Sequence, residues 1–365
     1  MTNHNYCVIL AGGIGSRFWP ISREDCPKQF LDPMNTGMTL IKATWARMKR
    51  SFPIENILVV SLAKYKPLVM EQLLDLPEEN LILEPYGRST APSISLAARV
   101  VLKRDPEAVM LVTPSDHHIG DKLLFEKAVS DALSYASKHD VLLTMGVVPT
   151  RPDANFGYIQ VTGGKNAGAD GCPVKVKTFT EKPDHELAKV FLDSGEFLWN
   201  SGIFIWKASV IRSEIQKHAP EISKVWKGWE NALGSASESG FVQRAYADSP
   251  RNSIDYALME KSDNVWVLPV KFEWDDLGTW DSLYDFYSRH NPSGNAEMVL
   301  GPKIIRDASG NVIFSDSRNK LLVVRGLENY MVIDTGDVLV VCPRDGKALQ
   351  DTLSEVSMPE FADFK

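Results

Sequence analysis

The chain is poor in cysteine. Cys7, Cys26, Cys172 and Cys342 are the only four in 365 residues, and no two stand at C-x-x-C spacing. Neither a zinc ribbon nor a disulfide framework is indicated. A basic excess is also missing: the net charge is −7. That argues against a general nucleic-acid or membrane-surface binder, so any anionic ligand must meet cations placed locally. No apolar run approaches the ~20 residues of a membrane-spanning helix. The opening MTNHNYCVILAGG has neither a basic n-region nor a long apolar h-region, which makes the cytoplasm the expected location.

With 44% hydrophobic and 24% charged residues the composition is that of a globular protein with a sizeable core. Short apolar runs at 6–10, 57–61, 108–113 and 141–147 read as buried parallel strands. Helical patterns lie between them at 38–50, 65–74, 91–104 and 124–138. Strands alternating with helices predict right-handed βαβ units around a mostly parallel sheet, with the ligand crevice beyond the C-terminal strand ends. Further strands are expected at 155–161, 174–180, 202–206 and 265–270, a helix at 209–229 broken near Pro220, and a surface loop at 230–240. A last helix at 280–290 runs into HNPSGNAEM, a boundary. Beyond it, short Val/Ile/Leu steps recur every six to ten residues or so, as in a β-solenoid or a plain β-meander.

The first strand ends in Ala11-Gly12-Gly13-Ile14-Gly15-Ser16-Arg17. Glycines let a backbone approach phosphate closely, successive N–H groups form an anion-binding concavity, and an arginine adds a fork of donors. The spacing is neither G-x-G-x-x-G nor G-x-x-x-x-G-K-[ST], so neither a dinucleotide fold nor a P-loop is matched. On these residues alone, a tight strand-to-helix turn with a solvated arginine fits as well. Asp116 directly follows the third strand, where a carboxylate faces the crevice or caps a helix. His117 and His118 face opposite ways on an extended chain and have no further ligand at metal spacing. The tryptophans at 199, 206, 226 and 229 read as core packing.

LAGGIGSRFWP followed by PKQF closely resembles the signature of the sugar-1-phosphate nucleotidyltransferases, and within that family it looks most like the mannose-1-phosphate guanylyltransferases. The resemblance covers roughly residues 6–290. It implies an α/β fold of the nucleotide-diphospho-sugar transferase type: a Rossmann-like, mostly parallel sheet flanked by helices over 1–290. Residues 291–365 would form a small C-terminal β-domain, for which a left-handed β-helix is one form. It implies that Leu10, Ala11, Gly12, Gly13, Gly15, Ser16 and Arg17 hold the nucleotide, and that Arg17 and Lys28 grip its phosphates. EPYGRSTAPSI resembles the stretch at the base pocket, which adds Glu84, Gly87, Arg88, Thr90, Ala91 and Pro92; Ser89 stands where the family commonly carries Asn. TPSDHHI adds Ser115, and Asp116 as a Mg²⁺ carboxylate; WDDLGTW adds Asp276 as the second. NFGYIQ, FTEKPD, WNSGIF and SIDYALMEK place Gly157, Tyr158, Glu181, Lys182, Asn200 and Asp255 at the sugar phosphate, with Lys182 on its phosphate. The implied reaction joins GTP and mannose 1-phosphate into GDP-mannose and pyrophosphate, with Mg²⁺ as cofactor and a homodimer as the assembly. Isomerase activity, found where such enzymes carry a fused domain, is not expected of a chain ending at 365. Another hexose 1-phosphate or nucleotide, or a non-catalytic sugar-nucleotide sensor, are the alternatives.

Overall fold

The computed structural model describes residues 4–13, 15–164, 167–168, 171–288, 291 and 293–364, and of Ser16 and Ala362 the backbone only. In chain order the strands are β1 (Asn5–Leu10), β2 (Ile57–Leu62), β3 (Leu81–Glu84), β4 (Val109–Pro114), β5 (His118–Ile119), β6 (Leu142–Val147), β7 (Tyr158–Val161), β8 (Val174–Thr180), β9 (Phe197–Lys207), β10 (Val265–Val270) and β11 (Trp274–Asp275). The C-terminal ones are β12 (Ala296–Val299), β13 (Lys303–Arg306), β14 (Val312–Ser315), β15 (Leu322–Arg325), β16 (Tyr330–Asp334) and β17 (Leu339–Pro343). The helices are α1 (Leu40–Met48), α2 (Lys66–Gln72), α3 (Thr90–Arg104), α4 (Lys122–Lys138), α5 (His185–Ser194), α6 (Ala208–His218), α7 (Pro220–Lys224), α8 (Trp229–Ala232), α9 (Glu238–Asp248), α10 (Trp280–Ser288) and α11 (Lys347–Val356). Among the described residues no helix is long and apolar enough to cross a membrane.

The chain forms two compact units. The first, Met1–Gly12, Thr44–Ser115 and Ile119–Trp274, is built on a nine-stranded sheet in the order β3-β2-β1-β4-β9-β6-β10-β8-β7. Strands β3, β2, β1 and β4 run parallel, as the βαβ pattern requires, and β10 runs parallel to β6. β9 enters antiparallel between β4 and β6, while β7 and β8 form an antiparallel hairpin. β7 also pairs with β9, so five strands of this half close on themselves. The middle strands therefore extend the parallel sheet as an antiparallel, curled half. β1, β2 and β6 are apolar along almost their whole length because helices or side chains cover both faces. Trp206 and Trp226 lie in the main core of this unit, beside Ile211, Ile215 and Tyr246.

Two segments differ from the sequence reading. Residues 230–240 are not one loop: α8 ends at Ala232 and α9 begins at Glu238. Val242, Ala245 and Tyr246, spaced three and four apart, bury one face of α9, and the small polar residues before them mask that period. The α5 helix, capped by the Asp184 carboxylate on the Leu187 N–H and ended by Gly195, lies in a stretch to which the sequence reading assigns no element. The helix expected over 280–290 runs to Ser288; residues 289 and 290 lie outside the described residues.

The second unit is Gly13–Ala43, Asp116–His118 and Asp275–Lys365. Its strands stack in parallel rungs. Ala296 pairs with Val312 and Val312 with Met331, while Lys303 pairs with Leu322, so one turn of the chain takes sixteen to nineteen residues. That is the solenoid alternative rather than the meander; the six-to-ten-residue beat counts single strands, two to a turn. Each turn is fixed by asparagine. Asn311 Nδ2 donates to Asn295 Oδ1 and to the Leu327 carbonyl, and Asn311 Oδ1 accepts from the Tyr330 N–H. One core joins Met298, Phe314 and Ile333 of the rungs to Phe18, Trp19 and Trp280.

Candidate active site

The division between the units falls inside three of the sequence motifs: between Gly12 and Gly13, between Ser115 and Asp116, and between Trp274 and Asp275.

In the second unit the glycine turn and the PKQF segment are locked together. Gly15 has φ +64°, and a Cβ there would lie 2.5 Å from the Lys28 Cβ, so only glycine serves. Gln29 Nε2 donates to the Gly13 carbonyl at 2.9 Å. Lys28 is 4% exposed, a costly position for an ammonium unless it is paired. It is paired twice: Nζ lies 2.9 Å from Asp116 Oδ2 and donates to the Asp276 carbonyl at 2.7 Å. The Phe18 ring lies 5.5 Å beneath it. Burial alone would push the Asp116 carboxyl up. The charge of Lys28, with that of His117 and the Lys28 hydrogen bond, outweighs burial and holds it below the ordinary carboxylate value. In the DDLG turn, Asp275 Oδ1 accepts from Leu277 N and Asp276 Oδ1 from Gly278 N, which fixes the turn that presents the Asp276 carbonyl to Lys28. Arg17 is exposed in the turn Ser16–Phe18 and makes no ion pair among the described residues.

Among the described residues no group of three or more His, Cys, Asp or Glu could hold a metal. Asp116 and Asp276 are instead a pair of hard carboxylates, one of them kept ionised by its neighbour. Mg²⁺ takes one or two carboxylates and completes its octahedron with phosphate oxygens and water, so this donor set suits it.

In the first unit, Ala11 is fully buried and spends its N–H on the Val60 carbonyl and its C=O on the Ser61 hydroxyl. Leu10 accepts from the Ser115 N–H, and the buried Ser115 accepts from Thr44 Oγ1. These three shape the strand ends rather than offer side chains. The EPYGRSTAP loop is held in the same way. Arg88 Nε and Nη2 donate to the carbonyls of Tyr246 and Ala247, and Thr90 Oγ1 accepts from the Ile254 N–H. Ala91 and Pro92 are buried in the first turn of α3, whereas a side chain at Gly87 would meet open space. Ser89 holds φ +67°, ψ −174°, a conformation that costs a non-glycine residue energy and clusters at ligand sites. Glu84 is buried and accepts on Oε1 from Ser93 Oγ and the Tyr246 hydroxyl. Neither Ser93 nor Tyr246 is picked out by the sequence.

The predicted sugar residues gather in the curled half of the sheet. The Asn200 N–H donates to the Gly157 carbonyl and its Nδ2 to Asp255 Oδ1 at 2.9 Å. Burial raises the Asp255 carboxyl above its ordinary value; the Asn200 hydrogen bond opposes this and the charge of Glu181 adds to it. Lys182, at φ +44°, is about half exposed and 3.4 Å from Glu181 Oε1. Tyr158 does not fit its predicted place. Its ring is fully buried against Phe191, and its hydroxyl exchanges hydrogen bonds with the Asp153 backbone. Alternation puts Gly157 and Tyr158 on opposite faces of their strand.

The nucleotidyl transferase family model matches residues 6–291. Among curated relatives, a xanthan biosynthesis protein XanB from Xanthomonas campestris pv. campestris (strain B100) is 38% identical over 93% of this chain and 70% of its own length. A mannose-1-phosphate guanylyltransferase from Klebsiella pneumoniae is 36% identical over 93% of this chain and 70% of its own. Among solved structures, one described as a mannose-1-phosphate geranyltransferase from Thermus thermophilus superposes with a TM-score of 0.85 at 29% identity, over 98% of this chain and all of that one. The chain belongs to the nucleotidyl transferase family and is a nucleotidyltransferase acting on a sugar 1-phosphate.

Proposed function

We propose that the enzyme transfers GMP from GTP to mannose 1-phosphate, releasing pyrophosphate. The relatives named for mannose-1-phosphate guanylyl transfer support the substrate pair. The chemistry rests on one observation: a single buried ammonium, Lys28, gathers Asp116 and Asp276, residues from three separate motifs. A sugar-phosphate oxygen attacks the α-phosphorus in line, and the bond to the pyrophosphate oxygen breaks on the opposite side. The nucleophile is already an anion, so no general base is needed. The difficulty is electrostatic, since two polyanions must meet and charge gathers around the α-phosphorus; positioning and charge neutralisation therefore carry the catalysis.

Lys28, preorganised by its two partners, neutralises charge on the triphosphate. Arg17, exposed and without an ion pair among the described residues, is available to close on the outer phosphates. Lys182 takes the sugar phosphate, while Glu181, Asn200 and Asp255 accept from or donate to sugar hydroxyls. The family generally uses a divalent metal; Asp116 and Asp276 would hold Mg²⁺, which when bound supplies charge neutralisation at phosphate oxygens. We place the enzyme in the cytoplasm and assemble it as a homodimer.

Pyrophosphate release measured with four nucleoside triphosphates against several hexose 1-phosphates, with and without Mg²⁺, tests the reading. The expected optimum is GTP with mannose 1-phosphate, dependent on Mg²⁺. A better pair, or no release from any pair, overturns it.

A further inference from the structure

The sequence motifs leave unexplained why a buried carboxylate on β3 is held by a tyrosine from a helix more than 150 residues away. Glu84 is 3% exposed. Its Oε1 is saturated: Ser93 Oγ donates at 2.5 Å and the Tyr246 hydroxyl at 2.7 Å, and an sp² oxygen has two lone pairs. Oε2 has no hydrogen-bond partner among the described residues. It faces Gly12, where a Cβ would lie 3.0 Å from it. An anionic acceptor left open beside Gly12, at the C-terminal end of β1, is placed to take a hydrogen bond from a ligand donor.

We propose that Tyr246 and Ser93 are positioning residues that clamp Glu84 so that Oε2 reads adjacent N–H donors on a purine, and that this clamp sets the choice of base. The inference rests on the proposed nucleotide reaction. Guanine presents two neighbouring donors, N1–H and the 2-amino group. Hypoxanthine presents one, and adenine offers an acceptor at N1. Only the first satisfies both lone pairs of Oε2; the last faces it with like polarity.

The clamp is itself braced. Tyr246 is fully buried, its ring edge-on to Trp226 at 5.9 Å. Arg88, in the loop that leads into α3 and Ser93, ties down the Tyr246 carbonyl. Burial keeps the Tyr246 phenol protonated, hence a donor. Burial also raises the Glu84 carboxyl, and the two hydroxyl donors oppose that rise, favouring the anionic acceptor.

The test compares wild type with Tyr246→Phe, which removes one hydroxyl, and with Ser93→Ala, using GTP, ITP and ATP. Wild type is expected to prefer GTP over ITP and ITP over ATP, both in equilibrium binding without sugar and in kcat/KM. Each variant should raise KM for GTP about tenfold, the scale of one hydrogen bond to a charged group, and compress the GTP-to-ATP ratio. Their kcat at saturating GTP should stay within about twofold of wild type. In a Glu84→Gln background, Tyr246→Phe should change base preference no further, because it acts through that carboxylate. Unchanged discrimination in folded variants, additive losses with Glu84→Gln, or equal binding of GTP and ATP by wild type overturns the clamp. If wild type binds GTP in preference to ATP but transfers no GMP, the clamp stands and the proposed reaction falls.

Discussion

A lysine that is 4% exposed is an unusual place to keep a charge, and at Lys28 two partners compensate for it. Replacing it by alanine removes one preorganised charge contact, and the expected loss in kcat is about 10²-fold or more. The fold should survive, since Asp116 keeps 29% of its side chain exposed and can be solvated once its partner is gone. Steady-state rates beside a thermal melt check this, and near-normal turnover in a folded variant rules the role out. Glu84 and Asp116 stand in opposite electrostatic positions. Burial raises Glu84, so the folded protein holds that proton more tightly than the unfolded chain does. Its contribution to stability is therefore present below the ordinary glutamate range and is lost as pH rises through the raised value. Glu84→Gln removes this cost, so the melting temperature of the variant relative to wild type should increase from pH 4 to pH 7.5. A pH-independent difference would refute it. At this scale residues singled out by different motifs meet within each unit: Lys28 pairs with Asp116 and the Asp276 carbonyl, and Asn200 pairs with Asp255. The sequence was unreadable where a motif residue serves the backbone. Arg88 and Thr90 spend their side chains on main-chain partners, Tyr158 turns into the core, and the Tyr246 hydroxyl carries no mark in the sequence around it.

Elements with a clean period were legible, and those whose period is broken by small polar residues were not. β1, β2 and β6 are continuous apolar runs because both faces are covered, and α3 and α4 keep a 3.6-residue stripe over fifteen and seventeen residues. α9 shows its stripe only after Gly240, which hid the helix that supplies Tyr246. In the C-terminal strands the legible beat was the strand, while the structural repeat is the turn of two strands, marked by asparagine. Asn311 is fully buried and satisfies the Leu327 carbonyl, the Tyr330 N–H and Asn295 at once. Asn311→Ala takes the side-chain acceptor from the Tyr330 N–H, while the Leu327 carbonyl keeps the Ser309 N–H, a cost on the order of 1–3 kcal/mol. Urea unfolding should report it, and the Tyr330 amide should lose its protection from hydrogen exchange. Unchanged protection there would mean that the rung is held by its strand pairing alone.

For the whole molecule, the open question is what the C-terminal rungs meet. The two-stranded sheet of β13 and β15 exposes Ile304 and Val323, which stand directly opposite each other in register, and Leu321 beside them is 54% exposed. Apolar side chains paired across an uncovered sheet face, on a chain whose net charge of −7 otherwise keeps copies apart, mark a surface that gains from being covered. In the homodimer proposed above, a second copy would cover it by twofold symmetry, with Val323 of each copy against the same region of the other. Val323→Asp places a carboxylate at the centre of that contact and leaves the rung intact, because its side chain is 55% exposed. Sedimentation should then show wild type as a dimer and the variant as a monomer, with GTP binding retained, since Val323 lies far along the chain from every nucleotide motif. A variant that sediments as wild type does would remove this face from the assembly, and a wild type that sediments as a monomer would remove the dimer itself.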